Sequence, residues 1–297
     1  MPRNLDVGKT LIKPVGSTEE AAVRDFLPAE IGVFGGTGLY DPKLFKDILE
    51  VKVYTPYGEP SDTFTMGQVK GKKVVFLARH NRYHSIPPHK INVRANVWAM
   101  KSLGVQRIIS PAACGTLQPE TVLPGEFVVC DQIFDRTFGQ RFDTFFEGGI
   151  VGHVPFSDPY CPELRHVILD VGRTLDLKTH RGDPLRIHDS GVMVVINGPR
   201  FSTRAESLFY KGQGFTVVGM TAYPETVLCR EAEICLANIS MPTDADVYGR
   251  EPVNAQMVVE SMKRNIENIK RLLYAVIPDI PTERHCDCGT SLDVSLY

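Results

Sequence analysis

The sequence predicts an α/β fold: a single domain with a central, mostly buried mixed β-sheet flanked by helices. Three observations predict it. Short β-branched runs alternate with amphipathic segments over the whole length of the chain. No stretch rich in proline, glycine and serine divides the chain into two parts. Of the 297 residues, 43% are hydrophobic and 23% are charged, a composition typical of a globular protein.

The predicted strands are short runs that are apolar throughout, which indicates strands covered on both faces. They span residues 31–34, 74–78, 108–110, 127–130, 192–196, 216–218 and 234–241. The predicted helices carry apolar residues at helical spacing. They span residues 91–103, 164–175, 204–211, 225–231 and 254–276, and Gly104 is the predicted C-cap of the first.

We place the domain at residues 30–280, between an N-terminal extension of residues 1–29 and a C-terminal tail of residues 281–297. The extension mixes acidic and basic residues without periodicity, whereas a mitochondrial transit peptide is poor in acids. The tail carries Cys286 and Cys288, which together with His285 supply too few ligands for zinc. We therefore expect a solvated tail and no metal site.

Charge and cysteine usage bear on the class of protein. The formal net charge of −2 lacks the basic excess of a protein that coats nucleic acid. No apolar run reaches the roughly 20 residues needed to cross a bilayer. The seven cysteines follow no disulfide-framework rhythm and no signal peptide is recognised, so we expect a cytoplasmic protein with reduced thiols. Small molecules are the expected partners, without nucleic acid or membrane.

Two motifs that directly follow predicted strands are typical of anion binding. Residues 35–38 (GGTG) combine glycines, which expose backbone N–H groups, with the hydroxyl of Thr37. On its own this signal is weak, because many strand-to-loop turns are rich in glycine. After the second strand come Arg79, His80 and His84. The guanidinium of Arg79 offers a bidentate fork that matches phosphate oxygens, and His80 can donate to the same anion. An exposed basic loop is the alternative interpretation.

Three later turns carry groups suited to a nucleoside. Phe201 can stack on a flat base whose edge hydrogen-bonds to Ser202, although Ser202 or Thr203 is also a natural helix N-cap. Met220 can lie against a sugar, and Thr221 can offer its hydroxyl to the anion; a capped helix start is the alternative here. The remaining turn carries two carboxylates, at Asp244 and Asp246. A buried carboxyl with a raised pKa can donate to a purine ring nitrogen and accept from an amine, although a surface turn is an equal alternative.

In their order and context, these motifs resemble the trimeric type of the purine nucleoside phosphorylase superfamily, and within it the 5′-methylthioadenosine phosphorylases. The resemblance covers about residues 30–280 and rests on the combination of motifs more than on any one of them. The motifs are GGTGL, ARHxRxH, ANxWAMKxLG, AxCG, PGE, DQxxDRT, GPRFSxRAES, MTxxPE and TDxD.

The resemblance implies a homotrimeric pentosyltransferase of purine and methionine salvage. It would convert 5′-methylthioadenosine and phosphate, a co-substrate, into adenine and 5-methylthioribose 1-phosphate, without a cofactor. The implied phosphate site comprises Thr37, Arg79, His80, the backbone N–H of Ala113, and Thr221. The implied nucleoside site, together with catalytic roles for Asp244, Arg79 and His80, comprises Met220, Phe201, Ser202, Asp244, Asp246, His84, Ala255, Val258 and Val259. In this chain Ala112 stands where animal members carry a threonine, so one hydroxyl is missing.

Three alternatives remain open at this point. A phosphorylase that acts on adenosine more broadly, on 6-oxopurine nucleosides or on methylthioinosine is the nearest, but asparagine rather than Asp244 is expected opposite a 6-oxo group. A catalytically silent nucleoside-binding protein on the same fold conflicts with the presence of Arg79 and both aspartates. A NAD-dependent oxidoreductase, suggested by GGTG, lacks the glycine spacing of a dinucleotide site.

Overall fold

The computed structural model describes residues 10–35, 39, 45–179, 182–248 and 255–296; within the last range, the side chains of residues 255, 257–260, 262 and 264 are outside the description. Twelve described strands form one mixed sheet. The strands are β1 (Leu11–Pro14), β2 (Ile31–Gly35), β3 (Lys46–Tyr54), β4 (Phe64–Val69), β5 (Lys72–Ala78), β6 (Arg107–Thr116), β7 (Phe127–Val129), β8 (Gln132–Arg136), β9 (Ile187–His188), β10 (Val192–Ile196), β11 (Val217–Gly219) and β12 (Cys235–Asp244).

Six described α-helices cover the two faces of this sheet. They are α1 (Glu20–Phe26), α2 (Val93–Ser102), α3 (Pro162–Thr174), α4 (Arg204–Gly212), α5 (Ala222–Glu231) and α6 (Ala255–Asp279). Helix α2 packs beside α5, and α3 beside α6. Trp98 and Leu228 belong to the hydrophobic core of the first pair, whereas Ile168 and Leu272 belong to that of the second. The predicted sheet with helices on both faces is confirmed. None of the described helices is long and apolar enough to span a bilayer.

The order of the strands leaves a gap in the sheet beside β6. The main path runs β1-β3-β4-β5-β2-β6-β11-β10-β8, and β12 lies along the other edge of β6. On the first edge, β2 pairs in parallel with residues 107–109, and β11 pairs antiparallel with residues 115–116. No described strand pairs with residues 110–114 on that edge. Because β2 and β11 run in opposite directions, their C-terminal ends both point into this gap.

Several details of the predicted elements are confirmed. Gly104, after α2, has a positive φ of 89°, as a helix C-cap requires. Thr203 is the N-cap of α4, and its hydroxyl and Glu206 form a complete capping box. This settles the choice between Ser202 and Thr203 in favour of Thr203.

The N-terminal segment from residue 10 onwards belongs to the domain. Strand β1 pairs antiparallel with β3, and α1 buries Val23 and Phe26 in the main core. The sequence had indicated an extension here. Two buried side chains in a seven-residue helix are too few to show a helical period.

The C-terminal segment is also packed, so the expectation of a solvated tail is wrong. Cys288 is 2% exposed and Leu292 is 7% exposed. Ser291 Oγ donates to the backbone carbonyl of Arg230 at 2.7 Å. The segment was misjudged because its apolar residues are sparse in sequence, and only the fold brings them to the core.

Candidate active site

The gap beside β6 holds a cavity of about 270 Å³. The turns after β5, β10, β11 and β12 line it together with β6 itself, as expected where strand ends meet in an α/β fold. Of the fourteen predicted site residues, ten line this cavity. These ten are Arg79, His80, His84, Ala113, Phe201, Ser202, Met220, Thr221, Asp244 and Asp246.

The other four predicted site residues cannot be placed in the cavity. Thr37 lies outside the described residues. Ala255, Val258 and Val259 fall in α6, of which the backbone is described at these positions but not the side chains. Their predicted contacts with a ligand therefore stay predictions.

Arg79 is the fixed cation of the cavity. Its side chain is 1% exposed, and Nη1 donates to Thr221 Oγ1 at 2.9 Å. Nη2 donates to Ser110 Oγ at 3.0 Å, to the Pro111 carbonyl at 3.2 Å and to the Phe34 carbonyl. Because Nη2 is occupied by these acceptors, the bidentate fork expected of Arg79 is not available in this geometry. One N–H of Nη1 remains, and Thr221 can direct its own hydroxyl hydrogen elsewhere.

Glu225 holds the guanidinium from the other side and was missed by the sequence analysis. Its Oε1 lies 3.4 Å from Arg79 Nε, and its Oε2 accepts from Ser110 Oγ at 2.7 Å. Burial raises the pKa of Glu225, and the positive charge of Arg79 opposes that rise. Nothing local to Glu225 in the sequence signals a partner 146 positions away. Glu225 and Ser110 are positioning residues for Arg79.

His80 is held as a neutral ring. Its Nδ1 lies 2.9 Å from the Ile86 carbonyl, and its ring centroid lies 4.6 Å from that of His84. Burial lowers the pKa of His80 to about 4. A neutral ring that donates from Nδ1 to a carbonyl presents a bare Nε2, which accepts. In this geometry Nε2 of His80 can accept a hydrogen bond from a ligand hydroxyl, whereas the donation to an anion predicted from the sequence needs a proton on Nε2.

The shifted pKa of His80 predicts a particular acid sensitivity. The folded pKa of about 4 lies below the ordinary histidine pKa of 6.5, so the unfolded chain binds the proton first. The stability that His80 contributes is present above pH 6.5 and is lost as the pH falls towards 4, by up to about 3 kcal/mol. His80→Asn keeps a donor for Ile86 but does not titrate. The difference in unfolding free energy between wild type and His80→Asn, measured in urea, should shrink over this range. A difference that stays constant would contradict the neutral ring.

Phe201 and Ser202 lie on the turn after β10. The Phe201 side chain is 40% exposed at the cavity, as a stacking platform for an incoming ring must be. Ser202 Oγ is buried and has no hydrogen-bond partner within the described residues. Since Thr203 caps α4, the hydroxyl of Ser202 is left for a ligand. A buried unpaired hydroxyl is costly, which favours a ligand partner.

Asp244 and Asp246 form the acidic end of the cavity. Asp244 accepts from Thr243 Oγ1 at 2.8 Å and from the backbone N–H of Asp246 at 2.9 Å. Burial raises the pKa of Asp244; the hydrogen bonds from Thr243 and from the backbone of Asp246 oppose that rise, and the charge of Asp246 adds to it. Burial raises the pKa of Asp246 as well, and its Oδ2 has no hydrogen-bond partner in the described part of the chain. Asp244 packs closely against Gly115, where a Cβ would lie 3.0 Å from Asp244 Oδ1. The glycine therefore makes room for the carboxylate.

The side wall between the two ends is largely apolar. Met220 follows β11, and Gly198 has a positive φ of 67° and packs so closely that a Cβ would lie 2.7 Å from Met220 Sδ. Ala112 and Ala113 line the same wall. The alanine in place of threonine at 112 thus leaves this wall without a side-chain hydroxyl.

The separation between the cationic end and the acidic end of the cavity follows from the length of β6 between them. Arg79 contacts the carbonyl of Pro111, whereas Asp244 pairs with Gly115. Four residues of strand span roughly 13 Å. The arrangement can hold an anion at one end and the edge of a flat, hydrogen-bonding base at the other, with a less polar ring between them.

Comparisons with known proteins agree with this geometry. The model of the Phosphorylase superfamily matches residues 30–278. S-methyl-5′-thioadenosine phosphorylase of Nitrosopumilus maritimus is 48% identical over 89% of this chain and 97% of its own length. A purine nucleoside phosphorylase of Streptomyces coelicolor is 43% identical, covering 89% and 94%. Methylthioadenosine phosphorylase of Schistosoma mansoni, solved with adenine, superimposes with a TM-score of 0.80 at 37% identity, covering 86% of this chain and 93% of that one.

Proposed function

The chain belongs to the phosphorylase superfamily, and from that membership and the geometry of the cavity we propose that it cleaves 5′-methylthioadenosine with inorganic phosphate. The products are adenine and 5-methylthioribose 1-phosphate. The observation that carries the proposal is the pairing of an Arg79–Thr221 end with an Asp244–Asp246 end across roughly 13 Å of β6. Phosphate is a co-substrate, and no cofactor is needed for this chemistry.

At the cationic end, phosphate binds to the remaining N–H of Arg79, the hydroxyl of Thr221 and the backbone N–H of Ala113. Thr37, which follows β2 in the sequence, completes this site. Arg79 and Glu225 form a buried pair with no net charge, so the site holds an anion by oriented donors more than by excess positive charge. His80 Nε2 accepts from a hydroxyl of the phosphate or of the ribose.

The reaction breaks the bond between C1′ and N9, and the electron pair leaves with the purine. Positive charge develops on the ribose as in other glycosyl transfers, and the phosphate beneath C1′ stabilises that charge and then forms the new C–O bond. The negative charge on adenine is relieved at N7 by a proton or hydrogen bond from Asp244. Because burial raises the pKa of Asp244, its acid form is accessible for this role.

In this proposal the remaining residues of the cavity bind the nucleoside. Phe201 stacks on adenine, Ser202 and Asp246 hydrogen-bond its edge, and Met220 lies against the ribose. The methylthio group lies by His84 and by Ala255, Val258 and Val259 of α6. Burial lowers the pKa of His84, so it presents a neutral ring to that apolar group.

A second candidate function is cleavage of 6-oxopurine nucleosides, which the similarity to a purine nucleoside phosphorylase of Streptomyces coelicolor favours. The acidic end argues against it. Asp244 and Asp246 together offer acceptors for the exocyclic amine of adenine, whereas O6 of hypoxanthine needs a donor. A protonated carboxyl would serve O6, but the proposed mechanism directs the proton of Asp244 at N7.

The test compares initial rates of base release from 5′-methylthioadenosine, adenosine and inosine, each with and without phosphate. We expect the order methylthioadenosine, adenosine, inosine, and no release without phosphate. A preference for inosine would establish the second candidate instead. Release of adenine that does not depend on phosphate would exclude a phosphorylase.

We further propose that the chain assembles as a homotrimer and works in the cytoplasm in purine and methionine salvage. Large exposed apolar side chains support assembly: Tyr83 is 83% exposed, Phe142 is 72% exposed and Phe138 is 65% exposed. A neighbouring copy that covers these side chains would remove their apolar surface from water. The cysteine pattern of the sequence supports a reducing compartment.

A further inference from the structure

Four of the seven cysteines meet in one cluster, although they come from three distant parts of the chain. Cys161 is the N-cap of α3, Cys235 is the first residue of β12, and Cys286 and Cys288 belong to the C-terminal segment. Their four sulfur atoms all lie within 4.8 Å of one another. None of the four lines the active-site cavity. The proposed phosphorylase chemistry makes no use of them.

The spacing of the sulfurs is that of a tetrathiolate metal site. Zinc binds cysteine sulfurs at about 2.3 Å, so the sulfurs of a tetrahedral site are about 3.8 Å apart. The Sγ atoms of Cys235 and Cys286 are 3.4 Å apart. A disulfide draws sulfurs together in pairs at about 2.05 Å and gives no reason for four to converge on one point. A metal ion bound at the centre of the cluster would explain why all four sulfurs converge.

The surroundings of the cluster favour thiolates. The backbone N–H of Leu164 donates to Cys161 Sγ at 3.4 Å, at the N-terminus of α3, where the helix dipole also favours negative charge. The mostly buried guanidinium of Arg230 donates to Cys288 Sγ at 3.7 Å. A zinc ion with four thiolates carries a net charge of about −2. These donors offset part of that charge, as the groups around structural zinc sites do.

The cluster is also mostly closed to solvent; of its four cysteines only Cys286 is partly exposed. Cys161, Cys235 and Cys288 are fully buried, and all four cysteines adjoin the core between the sheet and α3 and α6. Four protein ligands with no open position are the pattern of a structural site, not a catalytic one.

We propose that Cys161, Cys235, Cys286 and Cys288 bind one Zn²⁺ ion that fastens the C-terminal segment to α3 and β12. On binding, the thiols release their protons to solvent and all four sulfurs ligate the metal as thiolates. The sequence expectation of no metal counted only His285 and the two tail cysteines. The fold supplies the two missing ligands, Cys161 and Cys235. The backbone N–H of His285 donates to Glu163.

The experiment uses the full chain purified under reducing conditions without added metal or chelator. Elemental mass spectrometry should find about one zinc per chain. Co²⁺ exchanged into the site should give the thiolate charge-transfer and visible bands of tetrahedral cobalt. Cys286→Ser and Cys288→Ser should each lose at least about 90% of the bound zinc, since one ligand of four is removed. Both positions lie in the terminal segment, so circular dichroism should show that the sheet and helices persist.

The matched control is Cys229→Ser, which changes a buried cysteine of α5 outside the cluster and should keep its zinc. Three outcomes would overturn the proposal. The first is a chain that binds no Zn²⁺ or Co²⁺ while its thiols are titratable. The second is a disulfide among the four cysteines, seen as a mass deficit after alkylation of a chain purified without any reductant. The third is equal zinc loss in the control.

Discussion

Asp244→Asn is expected to lower kcat/KM for 5′-methylthioadenosine by about 10²- to 10⁴-fold, the usual worth of a general acid. The amide can donate a hydrogen bond to N7 but cannot transfer a proton as the leaving base gains charge. For inosine the loss should be smaller, because the amide can also donate to O6. The ratio of inosine to methylthioadenosine activity should therefore rise, as steady-state kinetics with both substrates will measure.

The matched control for this change is Asp189→Asn, an aspartate whose side chain is 63% exposed and paired with Arg173. Asp189→Asn should leave kcat/KM for both substrates unchanged, because an exposed ion pair contributes little to stability. Full methylthioadenosine activity in Asp244→Asn would remove Asp244 from the mechanism. An equal loss on both substrates would mean that the carboxyl supports the fold of the cavity and does not select the base.

The second large effect is expected for Arg79→Met. The change removes the cation that Glu225 faces and leaves a buried carboxylate without its partner, which costs about 3–5 kcal/mol of unfolding free energy. Phosphate should also bind at least about tenfold more weakly, because a charge-assisted hydrogen bond is lost. Urea unfolding and the KM for phosphate measure the two effects separately.

The double variant Arg79→Met/Glu225→Met separates stability from function. Replacing both members of a buried ion pair with apolar groups is often neutral for stability, so most of the lost unfolding free energy should return. The KM for phosphate should stay high. If the double variant recovered phosphate binding together with stability, Arg79 would be a structural residue only.

Much of the fold could be predicted because its central strands are apolar throughout. Strands such as β2, β5 and β10 are buried on both faces and read as short hydrophobic runs. Strands β1, β3, β4, β8 and β9 were missed. Strand β4 (FTMGQV) is buried, but polar residues and a glycine interrupt its apolar run. Strands β1 and β8 lie at the two ends of the main sheet path and are only partly buried. An edge strand with exposed side chains has no apolar run to recognise.

The site could be predicted wherever a motif follows a strand, and not where its geometry depends on distant partners. The sequence identified Asp244 and Thr221 as cavity residues, because β12 and β11 end there. It could not foresee that Nη2 of Arg79 is taken up by Ser110 and Pro111, 31 and 32 residues further on. For the same reason, the neutral state of His80 follows only from its burial in the folded chain.

The most direct test of the central claim is a crystal structure with phosphate and adenine bound together. The account predicts one phosphate oxygen within hydrogen-bonding distance of both Arg79 Nη1 and Thr221 Oγ1, with N7 of adenine next to Asp244. A phosphate held away from Arg79 and Thr221, or an adenine with its N7 edge turned from Asp244, would contradict it.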